Sequence, residues 1–104
     1  LGGQRQALTL VMSTLVKPKL LLLDEHTAAL DPKTQKKIML LSEEKVKEKN
    51  LTALMITHNL QDALTYGNRM LLLHQGEIVR DFSEEEKKKL SVTDLYKIMV
   101  DLDE

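Results

Sequence analysis

The sequence contains no cysteine, which excludes a disulfide framework and any metal site built on thiolates. Aromatic residues make up only 3% of the chain, so its core must be filled by leucine, valine, isoleucine and methionine. The sequence also lacks a secretory signal pattern and an apolar run long enough to cross a bilayer. We therefore expect an aliphatic globular fold that is soluble or sits on a membrane only through a partner.

A strong charge of one sign is missing as well. Lysine and arginine number 15 against 16 aspartates and glutamates, which leaves a formal net charge of -1. Because general attraction to nucleic acid needs an excess of positive charge, we expect no nucleic-acid partner. With 104 residues, of which 42% are hydrophobic, the chain is long enough for one modest domain.

The chain has no initiator methionine and opens on Leu1-Gly2-Gly3-Gln4, a glycine-rich segment of the kind that approaches ligands. A complete domain seldom begins on such a segment. We therefore expect the sequence to be a piece of a longer protein.

The spacing of apolar residues predicts the first helix and the first strand. Residues 4–16 have helical periodicity and end before Pro18. The residues predicted to form the buried face of this helix are Leu8, Val11, Met12 and Leu15. The continuous apolar run of residues 20–23 is typical of a parallel strand that is buried on both faces.

The rest of the chain continues the alternation of helices and strands. The predicted elements are a helix over residues 32–49, a strand over 52–57, a helix over 61–66 and strands over 69–74 and 77–82. Gln75-Gly76 is typical of a tight hairpin turn, and Ser83 and Ser91 predict capped helices near the C-terminus. This order predicts an α/β fold with a parallel sheet, followed by a β-hairpin and short helices.

Two adjacent carboxylates, Asp24 and Glu25, follow the first strand. The carboxyl ends of strands form the edge at which open α/β sheets bind ligands. Asp24 can hold a hard cation such as Mg²⁺, directly or through water, and Glu25 can polarise a water molecule. A pair of solvated acids is the plainer interpretation, but the four leucines before them favour a site.

His58 follows the second strand directly, so we expect it at the same edge, where a histidine can contact a terminal phosphate and orient a water. His26 and His74 lack such a context and are expected to be surface or internally hydrogen-bonded residues. Gly2 and Gly3 stand before a helix, an arrangement that lets the backbone approach a phosphate.

Together these residues resemble the ATP-binding subunit of ABC transporters over nearly the whole chain. Residues 1–6 are similar to the signature motif of that family, and residues 20–24 to Walker B, with Glu25 at the position of the catalytic glutamate. Residues 29–31 are similar to the D-loop, and His58 to the switch histidine. Because four motifs occur in the family's order, the resemblance is specific.

The sequence departs from the family pattern at three residues and in one larger feature. Leu1 stands where the family usually has Ser, His26 where Pro is common and Asn68 where Asp is usual. The sequence also contains no G-x-x-x-x-G-K-S/T loop, which in such ATPases holds the phosphates. The chain therefore carries the residues that activate water without those that hold the nucleotide.

The resemblance implies a partial P-loop NTPase-type parallel sheet within a single ATPase domain. Residues 1–17 would supply the signature motif and its helix, residues 18–82 the core and residues 83–104 a helical tail. It implies an ATPase that binds ATP and Mg²⁺ and powers solute transport. The implied roles are catalysis for Glu25 and His58, metal binding for Asp24, and nucleotide binding at a dimer interface for Gly2, Gly3, Gln4 and Asp31.

The resemblance also implies partners and a location. The partners are a second ATPase subunit, transmembrane permease subunits and an extracellular solute-binding protein. The implied location is cytoplasmic, on the inner face of the cell membrane. The motifs look most like those of bacterial uptake systems for amino acids or similar small solutes.

Two functions other than a transporter ATPase are compatible with parts of the sequence. A non-catalytic module that dimerises or docks on other subunits would also explain a chain without a phosphate loop. Because the resemblance places further sheet strands upstream of this sequence, we expect the chain to have an unpaired sheet edge, exposed apolar surface and a tendency to self-associate. An ABC ATPase of DNA repair or chromosome structure is disfavoured, because the sequence shows no coiled-coil heptads.

Overall fold

The computed structural model describes residues 2–15 and 19–103, which form two compact units that divide between Thr57 and His58. Leu1 and Pro18, on which two of the sequence predictions fall, lie outside the described residues, as does the predicted end of the first helix at Val16.

The first unit is built from two helices and two parallel strands. They are α1 (Gly2–Thr14), β1 (Leu21–Asp24), α2 (Pro32–Glu48) and β2 (Ala53–Ile56). β1 pairs with β2 in parallel, from Leu21 beside Ala53 to Asp24 beside Ile56. The helix α2 is therefore the crossover that parallel strands require, which confirms the predicted α/β architecture.

One face of this sheet is covered and the other is bare. The core cluster contains Leu10, Leu21, Leu23 and Leu51, with Leu41, Val46 and Met55 packed against it. On the opposite face Leu22, Leu54 and Ile56 are 56%, 46% and 44% exposed. Alternate residues of a strand point to opposite faces, so one apolar run supplies both surfaces. The predicted burial of both faces is wrong within the described residues, whereas the expected exposed apolar surface is present.

The buried face of α1 differs from the predicted one. Leu8, Met12 and Leu15 are 60%, 61% and 68% exposed, while Leu10 and Thr14 are buried. The covered residues recur at helical spacing: Leu10 and Thr14 are buried, and Gly3, Gln6, Ala7 and Val11 are half-buried. The covered face includes glycine, alanine and polar residues beside Leu10, so among the four residues that hydropathy predicted only Val11 is partly covered.

The second unit holds a β-hairpin and three helices. They are α3 (Leu60–Thr65), β3 (Arg69–His74), β4 (Glu77–Ser83), α4 (Glu84–Lys88) and α5 (Val92–Leu102). Gln75 and Gly76 both have positive φ, 51° and 79°, as a type I′ turn demands, so the predicted hairpin is confirmed. Both predicted capping boxes, begun by Ser83 and Ser91, are also present.

β3 pairs with β4 in an antiparallel sheet. Among the described residues this sheet contains two strands, which form the predicted β-hairpin. The core of this unit is formed by Met70, Phe82 and Leu95, with Leu60, Ala63, Leu64, Leu90 and Ile98 packed against it. Within the part of the chain that is described, no helix is both long enough and apolar enough to span a membrane.

Candidate functional site

The two adjacent acids lie where the sequence predicts them. Asp24 is the last residue of β1, and Glu25 follows it at the carboxyl edge of the parallel sheet. The Glu25 N–H donates to the carbonyl of Ile56, at the end of β2, over 2.8 Å. Both acidic residues are exposed, so a ligand at this edge can reach them.

Glu25 has an unusual backbone conformation. Its φ of 48° lies in the left-handed region, which costs a residue with a side chain roughly 1–2 kcal/mol. The Ala28 N–H donates to the Glu25 carbonyl over 3.0 Å and closes a turn. Strained residues of this kind concentrate at functional sites, where the surrounding structure holds them.

The residues of the predicted signature segment form the start of α1. Gly2, Gly3 and Gln4 are all helical, so α1 begins two residues before the predicted start at Gln4. The first N–H groups of a helix have no partner within it, so this terminus can accept an anion. A Cβ added at Gly3 would overlap the Cγ2 methyl group of Thr34 on α2. Gly3 therefore has a packing role that the sequence reasoning missed.

Asp31 also has a structural role. It is the N-cap of α2, where its Oδ1 accepts a hydrogen bond from the Thr34 N–H at 2.7 Å. Hydrogen bonds from Thr34 hold the pKa of Asp31 below its ordinary value, with Lys37 adding to the shift. Because Gly3 contacts Thr34, the N-termini of α1 and α2 lie side by side.

His58 is the first residue of the second unit and is exposed. The next residue, Asn59, is the N-cap of α3 and accepts a hydrogen bond from the Asp62 N–H at 3.0 Å. The structure thus brings Asp24 and Glu25 together at one sheet edge and places His58 at the entry to α3.

The other two histidines make internal contacts, as expected. Nε2 of His26 lies 3.0 Å from Oγ of Ser42, and Nδ1 of His74 lies 3.9 Å from a carboxylate oxygen of Asp103.

The donor set at Asp24 fits Mg²⁺. Within the described ranges no group of three or more His, Cys, Asp or Glu side chains is arranged to hold a metal ion. Mg²⁺ does not need such a cage, because in ATPases it keeps several waters and binds one or two carboxylates together with the substrate's phosphates. The exposed carboxylate of Asp24 at the sheet edge has the oxygen chemistry that such a role requires.

The known proteins whose sequences are most informative for this chain are ATP-binding proteins of transporters. No protein-family model matches the chain. A tyrosine transport ATP-binding protein of Clostridioides difficile (strain R20291) is 56% identical over 94 residues, which are 90% of this chain and 38% of the relative. The energy-coupling factor transporter ATP-binding protein EcfA2 of Bacillus anthracis is 38% identical over 101 residues, 97% of this chain and 34% of the relative.

Solved structures that are similar to this chain come from the same kind of protein as these relatives. A dimeric structure of MJ0796, a bacterial ABC transporter cassette, matches with a TM-score of 0.68 and 33% identity over 81% of this chain and 36% of that one. The chain belongs to the ABC transporter ATP-binding proteins. A second structure of the same cassette, a dimer bound to ADP and Pi, matches this ABC chain with a TM-score of 0.64 and 30% identity. The chain spans 38% and 34% of the lengths of the two ABC relatives described above.

Proposed function

We propose that the protein that carries this chain is the ATP-hydrolysing subunit of an ABC transporter and powers the movement of a solute across a membrane. The observation that supports this most is the sheet edge itself. Asp24 ends a buried parallel strand, and Glu25 beside it is held in a strained turn by the end of β2. This arrangement occurs in a chain of the ABC ATP-binding family.

In this proposal Glu25 is the general base. Its carboxylate accepts a proton from the water that attacks the γ-phosphate of ATP. His58 contacts the γ-phosphate and orients that water. Asp24 would hold Mg²⁺, directly or through water, and the ion would supply positive charge to offset that of the phosphates.

The proposal places a second subunit against the N-terminus of α1. The free N–H groups at Gly2, Gly3 and Gln4 would face the phosphates of an ATP molecule held by the other subunit. Asp31, at the adjacent N-terminus of α2, would contact the partner subunit. The solved relatives are dimers, one of them bound to ADP and Pi, which supports a paired arrangement.

Transport requires further partners. We propose permease subunits in the membrane, an extracellular solute-binding protein and a place for this subunit on the cytoplasmic face. The relatives carry different substrate names, among them tyrosine and aliphatic sulfonates. The tyrosine protein is 56% identical and the sulfonate protein of Burkholderia cenocepacia (strain HI2424) is 42% identical, which favours an amino acid as the solute.

The exposed apolar sheet face formed by Leu22, Leu54 and Ile56 favours a second candidate, a non-catalytic docking module. ATP turnover separates the two functions. We expect the protein that carries this chain to hydrolyse Mg-ATP, and the 104-residue chain alone to show no turnover, because its sequence contains no phosphate loop.

Calorimetric titration with Mg-ATP gives a matched control. The protein that carries this chain should bind Mg-ATP, and the chain alone should bind it weakly or not at all. Absence of turnover in the larger protein would favour the docking module. Low-micromolar affinity of the 104-residue chain alone for Mg-ATP would contradict the inference that nucleotide binding needs a phosphate loop that this sequence does not contain.

A further inference from the structure

The turn that follows Glu25 is held by side chains from both helices of its unit. Gln6 of α1 donates from Nε2 to the His26 carbonyl over 2.6 Å. Gln35 of α2 donates from Nε2 to the Thr27 carbonyl over 3.0 Å. Both hydrogen bonds are partly shielded from solvent. The peptide groups that follow His26 and Thr27 are therefore attached to two different helices.

The imidazole of His26 supplies a third attachment. Its Nε2 lies 3.0 Å from Oγ of Ser42, a residue of α2 that is only 3% exposed. The Ser42 hydroxyl donates its single proton to the Ile38 carbonyl over 2.7 Å. Ser42 Oγ must therefore accept on the histidine side, so Nε2 of His26 carries a hydrogen. The ring is thus held in place by the hydroxyl group of a buried residue.

These attachments meet at the residue that follows the strained Glu25. With φ at 48°, Glu25 occupies a region that side chains disfavour. Such a conformation persists where the surrounding structure determines it more than once. The residue after Glu25 is His26. Its carbonyl is hydrogen-bonded to α1, and its ring is hydrogen-bonded to α2.

We propose that His26 is a positioning residue for Glu25: its ring, held by Ser42, maintains the turn that directs the Glu25 carboxylate. This inference rests on the proposed role of Glu25 as general base. The His26 tether is defined as the hydrogen bond between His26 Nε2 and Ser42 Oγ. Loss of the tether lets the carboxylate leave the attacking water, which lowers kcat. It leaves the KM for ATP unchanged, because neither tether residue is placed on the nucleotide.

The test uses the protein that carries this chain. His26→Ala and Ser42→Ala remove the tether from opposite ends, and each is expected to lower kcat about tenfold, with KM for ATP within about twofold of wild type. His26→Gln keeps an N–H donor of similar reach and should restore most of kcat. Ser13→Ala is the matched control, because Ser13 Oγ also donates to a helix carbonyl, that of Leu10 over 2.8 Å. It should retain wild-type kcat.

Amide hydrogen exchange gives a readout that does not depend on catalysis. The Ala28 N–H closes the strained turn and the Glu25 N–H joins the turn to the end of β2, so both should exchange faster in His26→Ala and Ser42→Ala. Wild-type kcat in His26→Ala, or an equal loss in Ser13→Ala, would overturn the proposal. If the wild-type protein hydrolyses no ATP, the ATPase function fails by itself. Unchanged exchange would then overturn the tether as well.

Discussion

The contact between α1 and α2 yields a quantitative prediction for Gly3→Ala. The new methyl group would overlap Cγ2 of Thr34. The Thr34 methyl group cannot rotate away freely, because the side chain of Thr34 is also hydrogen-bonded to Asp31 at the start of α2. Overpacking of this kind costs about 1–3 kcal/mol, and the better helix propensity of alanine offsets about 1 kcal/mol. We expect the free energy of unfolding to fall by about 1 kcal/mol.

Gly2→Ala is the matched control one residue earlier. A Cβ there would lie 3.5 Å from Cδ2 of Leu30, an ordinary contact, so only the gain in helix propensity remains. This variant should be more stable than wild type by up to about 1 kcal/mol. The difference between the two variants, about 1–3 kcal/mol, isolates the overlap. Thr34→Ser deletes the offending methyl and should recover most of the loss in the Gly3→Ala background.

Urea unfolding followed by the helical circular dichroism signal measures all four variants on one scale. The reasoning is refuted if Gly3→Ala is at least as stable as Gly2→Ala. It is also refuted if Thr34→Ser destabilises equally with and without alanine at position 3, because the overlap would then not exist.

Two other substitutions test single contacts. Lys87 is 4% exposed, and its ammonium group donates to the carbonyls of Tyr66 and Gly67, which follow α3. Lys87→Met leaves both carbonyls without this donor and should lower the free energy of unfolding by about 1–3 kcal/mol, measured by thermal unfolding. Lys88 is exposed, so Lys88→Met should leave the stability unchanged. Equal melting temperatures would contradict that role. The folded pKa of Asp31 is lowered from 3.8, so its stabilising contribution is complete above that pH and is lost as the pH falls through the folded value. Asp31→Asn keeps an N-cap side chain and should abolish this part of the acid sensitivity; an unchanged pH profile of unfolding would count against it.

Local patterns account for what the sequence predicted well. The Gln75-Gly76 turn and the cap begun by Ser83 depend on neighbouring residues alone, and both are present. To predict where Asp24 and Glu25 lie, one further rule was enough: the carboxyl ends of parallel strands meet at one edge of the sheet.

Contacts between distant residues account for what the sequence missed. Hydropathy scores each side chain separately, so it favoured Leu8 and Met12 of α1 over a packing face that includes Gly3, which contacts α2 because it lacks a side chain. The hydrogen bond from Gln6 to His26 joins residues 20 positions apart, so no local sequence pattern predicts it. The positive φ of Glu25 is likewise visible only in the folded turn.

The central claim is that Glu25 activates the attacking water, and single-turnover ATP hydrolysis by Glu25→Gln tests it most directly. The protein that carries this chain is mixed with Mg-ATP, and binding and cleavage are followed separately, with Glu44→Gln, an exposed glutamate on α2, as control. We predict that Glu25→Gln binds Mg-ATP like wild type but cleaves it about a hundredfold or more slowly, while Glu44→Gln does both normally. A cleavage rate for Glu25→Gln within about twofold of wild type would contradict the account.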